Sequence, residues 1–351
     1  MRTRLTYVAA SLSVALICLS PVPSLAAKYT LKIALVTSDT SPDAIGARML
    51  KSRIEAETKG DVEVQIFANA SLGGEIQLIQ QLQAGTIQAS VFTEHSIGNV
   101  VPQSRLLLLP FTIKSREVAN KIYDSDFARD HIWKALEKHN ILYNGMWCTG
   151  FRGFHTSKVL VRTPADVKGI KMRVSEAPQF VKVMQALGVN PTPISWSEIY
   201  SALSQKVVDG TDTTQYYSWT QKLYEVVPNI TVLGQQTISV GLFWNKTWLD
   251  SLPPETRTIV TDAAWDVASW QRQYMAAADT FYDDNLRAHG AKVYYPTKEE
   301  VAQFAALTKD VSKSFYDTYG KADVDGFLAL VEKIEREVEA EKKSHPIIRR
   351  Y

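Results

Sequence analysis

Cysteine is scarce in this sequence. Its 351 residues include two cysteines, Cys18 and Cys148, which are too few for a disulfide-rich scaffold or a four-cysteine zinc site. The six histidines never lie within four residues of one another, so the sequence has no local histidine pair of the kind that binds zinc. We therefore expect neither a metal ion nor a cofactor.

An excess of charge of either sign is also missing. The chain has 39 Lys and Arg residues against 37 Asp and Glu, a formal net charge of +2. This balance provides none of the electrostatic attraction expected of a nucleic-acid-binding protein. With 45% hydrophobic and 22% charged residues, the composition is typical of a folded chain rather than a disordered one. The length fits one large domain or two ordinary ones.

Recognisable catalytic motifs are absent. The sequence has no Gly-x-Ser-x-Gly elbow, no phosphate-binding loop and no dinucleotide fingerprint. Cys148 lies in an apolar strand pattern, which favours a buried thiol over a nucleophile. Residues far apart in the sequence can still converge in a fold, so an enzyme is kept below as an alternative.

Long apolar runs are missing except at the N-terminus. Arg2 and Arg4 precede an uncharged run from Leu5 to Ser20, and Ser24-Leu-Ala26 has the small–x–small pattern that signal peptidase requires. We predict a secretory signal at 1–26, cleaved after Ala26, because a membrane anchor needs a longer apolar run. Cleavage leaves 37 basic residues against 37 acidic ones. We expect the mature chain not to span a membrane.

Strand and helix patterns alternate along the rest of the chain. Tyr29–Val36 alternates polar and apolar residues as a strand does, and Ala44–Glu57 has helical spacing. The alternation restarts after a helix predicted at Val118–His139. It predicts an α/β fold in which largely parallel sheets are covered by helices. Further strand signals fall at Val62–Phe67, Leu142–Cys148, Lys171–Val174, Val207–Gly210, Ile230–Leu233 and Val240–Asn245.

One helix signal is much longer than the others. Pro253-Pro254-Glu255 is a strong helix start, and apolar residues then recur at helical spacing until Gly290. A helix of roughly 35 residues is about 50 Å long, which exceeds one small α/β domain. Because two strand–helix series precede it, we predict that this helix spans two domains.

Several spaced motifs occur in residues 72–215. They are Leu72-Gly-Gly-Glu75, Leu109-Pro-Phe111, Gly150-Phe-Arg152-Gly, Gly169-Ile-Lys-Met-Arg173-Val174, Pro191-Thr-Pro-Ile-Ser-Trp196 and Val208-Asp-Gly-Thr-Asp212. In this order they resemble the extracytoplasmic solute-binding proteins of TRAP transporters, the tripartite ATP-independent periplasmic uptake systems (DctP-type family). The resemblance covers nearly all of the predicted mature chain.

The resemblance implies a periplasmic binding protein fold. Two α/β lobes would be joined by a hinge and bridged by the long helix, with lobe I formed by 27–149 and 239–278 and lobe II by 150–238 and 279–351. Ligand would bind between the lobes and be delivered to a separate integral-membrane permease. We expect a periplasmic protein that is a monomer, with a dimer as the alternative.

Arg173 is the principal candidate for ligand binding. Its guanidinium is a planar fork that binds a carboxylate through two hydrogen bonds and stays charged at physiological pH. Such a pair is far stronger in a cleft that is shielded from water. From the residues alone, Arg173 is either a carboxylate ligand or a structural arginine paired with Asp166 or Glu176. The resemblance places it at the family's carboxylate-binding arginine.

Further ligand contacts follow from the resemblance, each with an alternative. Arg152 matches a second ligand-contacting arginine, or else is an exposed loop arginine or forms an interdomain salt bridge. Trp196 matches an aromatic residue that packs on the ligand, or else fills the core. Glu75 matches an acid that accepts hydrogen bonds from hydroxyl or amino groups, or else stabilises a helix N-terminus.

The remaining candidate residues would form the walls of the binding site or contact the second end of the ligand. Trp147, Tyr216 and Tyr217 either pack in the core or contact ligand. Asp212, at the end of the Val208-Asp-Gly-Thr-Asp212 motif, is a further candidate ligand contact. Thr213 and Gln236 fall where relatives define the ligand's second end. Thr213 and Gln236 differ from the asparagine and Asn-His that relatives carry, so the ligand stays unassigned.

The predicted function is capture of a small organic acid for a TRAP-type permease. Keto, hydroxy, sugar and aromatic acids are all compatible with the motifs, as monocarboxylates or dicarboxylates. Two alternatives remain: a receptor that signals to a partner, and a periplasmic enzyme that acts on a carboxylate.

Overall fold

The computed structural model describes residues 27–344. The predicted signal and cleavage site at 1–26, the segment 345–351 and the side chain of Cys148 lie outside the described part. The described residues form eleven strands: β1 Tyr29–Leu35, β2 Val62–Phe67, β3 Ala89–Thr93, β4 Ile141–Phe151, β5 Gly153–Thr156, β6 Lys171–Val174, β7 Asn190–Pro193, β8 Gly210–Thr213, β9 Asn229–Thr231, β10 Thr237–Asn245 and β11 Lys292–Tyr294.

Helices connect and cover these strands. They are α1 Pro42–Glu57, α2 Glu75–Ala84, α3 Glu94–Ile97, α4 Arg116–Tyr123, α5 Asp126–Ala128, α6 Lys134–Leu136, α7 Pro164–Val167, α8 Pro178–Ala186, α9 Ile199–Ser204, α10 Gln215–Thr220, α11 Lys246–Ser251, α12 Pro254–Ala288, α13 Lys298–Leu307, α14 Lys309–Tyr319 and α15 Lys321–Ser344. A π-helical turn spans Arg129–Trp133. Short 3₁₀ turns lie at Pro102–Leu108, Glu137–His139, Trp196–Glu198 and Leu223–Glu225.

The first sheet has five strands in the order β2-β1-β3-β10-β4. Strands β1, β2 and β3 are parallel, whereas β10 runs antiparallel to both β3 and β4. Leu31, Ile33 and Leu35 of β1 pack with α1 and α12, while Ala34 faces the opposite hydrophobic cluster. Because successive side chains of a strand point to opposite faces, this sheet is buried on both sides.

The second sheet has six strands in the order β11-β9-β5-β8-β6-β7. Strand β6, next to the edge strand β7, runs parallel to both β8 and β7. Strand β5 is antiparallel to β8 and to β9. Parallel strands bring their carboxyl ends to one edge of the sheet, where ligands bind in open α/β folds.

The chain passes from one sheet to the other through two short segments. Strand β4 ends at Phe151 and β5 begins at Gly153, so Arg152 alone joins them. The return passage lies between β9 and β10. The Arg152 N–H donates to the Gln236 carbonyl, and the Gly234 N–H donates to the Arg152 carbonyl, both at 2.9 Å. The two passages are therefore hydrogen-bonded to each other.

Helix α12 packs on elements of both sheets, which confirms the predicted bridging helix. It contains 35 residues and contacts α1 and β4 on one side and α10 and β11 on the other. Arg116 donates to Asp279 of this helix through both terminal guanidinium nitrogens, Nη1 and Nη2, at 2.5 and 2.6 Å. Tyr295, after β11, donates to Asp283 at 2.7 Å. The helix thus links the two lobes of a mixed α/β fold.

The C-terminal helices reach both lobes. Helix α14 packs on α8 beside the second sheet, whereas α15 packs on α4 beside the first. Ion pairs join α15 to the α4 region, including Lys121 with Glu341 at 2.8 Å and Lys342 with Glu117 at 3.2 Å. Among the helices of residues 27–344, none combines the length and apolar character needed to cross a bilayer.

Gly210 is sterically required where β8 meets β5. A Cβ atom at this position would lie 2.7 Å from the backbone oxygen of His155. We expect Gly210→Ala to lower the free energy of unfolding by about 1–3 kcal/mol, because the paired strand must move. Urea unfolding measures this loss. Gly326→Ala in α15 is the control: its Cβ meets nothing within 4 Å, and it should gain about 0.5–1 kcal/mol. Equal stability of the two variants would contradict the expectation.

Candidate functional site

A cavity lies between the two sheets and is lined from both. Its empty volume is about 650 Å³, including the space at its mouth. Polar lining residues follow the carboxyl ends of β1, β3 and β6, the positions at which parallel sheets bind ligands. The first sheet and the segments next to it contribute Val36, Thr37, Asp43, Gly74, Glu75, Ile76, Val91, Thr93, His95, Ser96, Asn99, Ile238 and Val240, and the second sheet and its neighbouring segments contribute Arg173, Ser175, Glu176, Ser195, Trp196 and Tyr217.

Arg173 is a buried cation in the cavity wall. Only 2% of its surface is exposed. Its Nε donates to the Ile194 carbonyl at 2.8 Å, and one terminal nitrogen lies 3.4 Å from the Ser175 hydroxyl. No carboxylate oxygen within residues 27–344 lies closer than 4.0 Å to this guanidinium. A direct ion pair with Asp166 or Glu176 is therefore not formed.

The electrostatic environment of Arg173 reflects this incomplete pairing. Burial lowers its pKa to about 10, with Asp212 opposing the decrease and the nearby Arg152 charge adding to it. The Trp196 ring centroid lies 5.6 Å from the guanidinium carbon. A ligand carboxylate would place an opposite charge in direct contact with the Arg173 guanidinium, which no acid of residues 27–344 does.

Glu75 faces the cavity from the start of α2 and is held by neighbouring donors. Its Oε1 accepts from the Thr93 N–H at 3.0 Å, and its Oε2 accepts from the Thr93 hydroxyl at 2.6 Å and from the Ser96 hydroxyl. Burial raises the Glu75 pKa, while these donors and the Arg173 charge oppose the increase. The carboxylate is thus fixed in place with its remaining acceptor capacity toward the cavity.

His95 lies next to Glu75 but does not provide a second positive charge. Its Nε2 is 3.1 Å from the Thr93 hydroxyl and 3.7 Å from Glu75 Oε2. Burial lowers the His95 pKa well below its usual value, and the charges of Arg152 and Arg173 lower it further. The imidazole is therefore neutral at physiological pH.

Arg152 lies behind the cavity wall and is paired. It is fully buried, and its Nη1 donates to Asp212 Oδ2 at 2.9 Å. Its Nη2 lies 3.4 Å from the Ser175 hydroxyl, and its guanidinium carbon is 4.0 Å from the Phe180 ring centroid. Because Ser175 contacts both Arg152 and Arg173, the buried pair supports the residue that faces the cavity.

A second buried acid lies near this pair. Glu94 Oε2 accepts from the Ser239 N–H at 2.6 Å, and its Oε1 lies 3.3 Å from the Thr237 hydroxyl. Burial raises the Glu94 pKa to about 7, although the Ser239 amide and the Arg152 charge oppose the increase. Glu94 is the first residue of α3, and its carboxyl group, with a pKa near neutral, contacts the beginning of β10.

The structure brings some of the predicted site residues together and separates others. Arg173, Trp196, Glu75 and Tyr217 line the cavity. The others lie outside its lining: Arg152 and Asp212 as the buried pair, Thr213 buried in β8, Gln236 donating to the Leu108 carbonyl at 2.6 Å, Trp147 buried in the core beside α1 and α12, and Tyr216 beside Tyr217 with ring centroids 4.2 Å apart.

Several lining residues were missed from the sequence. They are Thr37, Asp43, His95, Ser96 and Ser175. A polar residue just after the carboxyl end of a predicted parallel strand is the signal that identifies most of them. Asp43 has no such signal, because an acid in the first turn of a helix is ordinarily explained by the helix dipole. Within residues 27–344, no three His, Cys, Asp or Glu side chains are grouped as a metal site.

Comparison with known proteins identifies relatives over most of the chain. The sialic acid-binding periplasmic protein SiaP of Vibrio cholerae is 26% identical over 323 residues, which cover 91% of this chain and 98% of that protein. The C4-dicarboxylate-binding periplasmic protein DctP of Rhodobacter capsulatus is 30% identical over 238 residues, 68% of this chain and 71% of the relative.

Solved structures show the same fold. The sugar acid binding protein DctPAm of Advenella mimigardefordensis, in complex with galactonate, superposes with a TM-score of 0.84 at 25% identity. The match covers 87% of this chain and 98% of that one. The model of the family described as bacterial extracellular solute-binding protein, family 7 (DctP) matches residues 33–318. The predicted resemblance is confirmed, and the chain belongs to this family of solute-binding proteins.

Proposed function

We propose that this protein captures a small organic carboxylate between its two lobes and delivers it to a TRAP-type membrane permease. The observation that carries the proposal is Arg173: a buried guanidinium lines the cavity and has no carboxylate partner among the described residues. A buried charge without a partner is costly, so this position is explained by an anionic ligand. The galactonate complex and the sialic acid receptor, both carboxylate binders by name, support the choice of ligand class.

The cavity suits a receptor that binds a ligand better than an enzyme that converts it. The family is a receptor family, and a receptor needs contacts that improve when the lobes close. Arg173 contributes from the second lobe and Glu75 from the first, so a ligand that meets both favours the closed arrangement. We propose that this closed form is what the permease recognises.

The proposal also includes the boundaries of the two lobes and the cellular location of the protein. We place lobe I at 27–149 with 239–278 and lobe II at 150–238 with 279–351. The first two boundaries fall inside β4 and β10, two residues from the passages at Arg152 and at 232–236, while α15 extends onto α4 of the first lobe. We propose a periplasmic location after cleavage behind Ala26, supported by the periplasmic relatives.

Thermal unfolding with a panel of acids tests the proposal. A ligand that binds only the native state stabilises it, by about 2.7 kcal/mol at a hundredfold excess over its Kd. We expect at least one carboxylate among galactonate, glucuronate, pantoate, 2-acetolactate and succinate, or among four- and six-carbon hydroxy and amino acids, to raise the Tm. Galactose, which lacks the carboxylate of galactonate, is the matched control and should leave the Tm unchanged. If no acid raises the Tm, the proposed function is wrong.

A further inference from the structure

The cavity offers one positive charge to a ligand. Among its described lining residues, Arg173 is the single charged cation, because His95 is neutral and Arg152 lies behind the wall in its pair with Asp212. Three acids, Asp43, Glu75 and Glu176, line the same space. A ligand with two carboxylates would place its second charge against acids without a compensating cation, which is unfavourable in a site shielded from water.

Asp43 has an unused acceptor in this cavity. Its side chain is 1% exposed, and its Oδ2 accepts from the Thr37 hydroxyl at 2.5 Å. Thr37 in turn accepts from the Ser41 hydroxyl at 3.1 Å, so the carboxylate is held in position. Asp43 Oδ1 is buried and has no hydrogen-bond partner within residues 27–344. Buried acceptors are normally satisfied, and both Asp43 and Thr37 line the cavity.

The helix dipole accounts for an acid at this position but not for its environment. Asp43 lies in the first turn of α1, where a negative charge is favourable. An exposed carboxylate would serve that purpose equally well, whereas this residue is buried in the cavity lining and one of its oxygens has no hydrogen-bond partner within residues 27–344. Between the polar groups, Val36, Val91 and Val240 form apolar walls, which suit an apolar ligand body.

We propose that the cavity selects a monocarboxylate that also carries a hydrogen-bond donor, a hydroxyl or an ammonium group, and that Asp43 accepts from this donor. The inference rests on the proposed function, since Arg173 must first bind the carboxylate. Glu75 adds a second acceptor, because its Oε1 receives one hydrogen bond from the described residues, from Thr93. The negative charges of the same acids oppose the second carboxylate of a dicarboxylate, although burial raises the pKa of both Asp43 and Glu75.

Calorimetry with two matched ligand series tests the selectivity. The series are butyrate, 4-hydroxybutyrate, 4-aminobutyrate and succinate, and hexanoate, 6-hydroxyhexanoate, 6-aminohexanoate and adipate. We expect a hydroxy or amino acid to bind about tenfold or more tightly than the unsubstituted acid and the dicarboxylate of its length. Tighter or equal binding of the dicarboxylate, or equal binding of the unsubstituted acid, would overturn this inference and leave the proposed function standing.

Substitutions at Asp43 test the role of this residue. Their affinities are measured with the acid that binds the wild type most tightly, taken from the two series or from the thermal panel. We expect Asp43→Ala to weaken binding about tenfold or more. Asp43→Asn keeps an acceptor and should retain affinity for a hydroxy acid but lose it for an amino acid, which separates the two donors. Asp39→Ala, an exposed acid in the same loop, is the control. If Asp43→Ala does not fold, Asp43→Asn and Asp43→Ser carry the test. Wild-type affinity in the folded Asp43 variants would overturn the inference.

Discussion

Replacing Arg173 with methionine is expected to weaken carboxylate binding by about a hundredfold or more, because truncating one member of a buried ion pair costs several kcal/mol. The ligand carboxylate would then be buried without a cation, since no other charged cation lines the cavity among the described residues. Methionine keeps much of the length of the side chain without its charge. Calorimetry with the acid that raises the Tm most measures the loss.

The same variant should not lose stability when ligand is absent. Burial lowers the pKa of Arg173 to about 10, so folding disfavours its charged form, and removing that charge relieves the cost at neutral pH. Arg173→Lys keeps the charge but lacks the planar fork, so its affinity should fall between those of the wild type and Arg173→Met. Arg336→Met, on the exposed face of α15, is the control. Unchanged affinity in Arg173→Met would remove the basis of the proposed function.

Removing the charge of Asp212 should destabilise the protein strongly. Asp212 and Arg152 are both fully buried and form an ion pair at 2.9 Å. Asp212→Asn leaves the Arg152 charge buried without an opposite charge, which typically costs about 3–5 kcal/mol. The loss is measured as the free energy of unfolding in urea without ligand.

A double variant separates this cost from a general loss of packing. Replacing both partners, as Arg152→Met with Asp212→Leu, removes both buried charges, and buried pairs replaced in this way often keep their stability. We expect the double variant to be more stable than Asp212→Asn, with strongly non-additive effects in the cycle. Additive losses, or a change below about 1 kcal/mol in Asp212→Asn, would show that the pair does not stabilise the fold.

Elements with strong local signals were predicted well from the sequence. The prolines before Glu255 and the long helical periodicity defined α12, whose observed range is Pro254–Ala288. The strand Lys171–Val174 was predicted with its observed bounds. In both cases local pattern and tertiary packing agree, so periodicity alone was sufficient.

Two elements differ from the prediction because local chemistry competes with periodicity. The helix expected over Val118–His139 is interrupted: α4 ends at Tyr123, and Ser125 caps a new turn by accepting from the Ala128 N–H. The strand-to-turn signal at Val207–Gly210 has the opposite order. Lys206 adopts a positive φ of 59°, and strand β8 begins only at Gly210.

The candidate site was predictable only in part. A guanidinium at a strand end suits a carboxylate, but the residues alone left Arg173 as either a ligand contact or a structural arginine, and the family resemblance favoured the ligand contact. The same resemblance supplied Glu75 and Trp196, which also line the cavity. The partner of Arg152 lies 60 residues away in Asp212, and no local pattern shows that β5 and β8 are neighbours. Asp43 depends on burial, which the helix-start pattern does not reveal.

The joint between the sheets restricts how the cavity can open. Arg152 is the single residue between β4 and β5, and its backbone N–H and C=O bind the return passage at Gln236 and Gly234. Its side chain is fixed in turn by the buried Asp212. Two passages bonded side by side define one line, and α12 ties the lobes at a third place. Any separation of Arg173 from Glu75 must therefore change the backbone dihedrals at this joint and also bend or shift α12, because all three connections join the same two sheets.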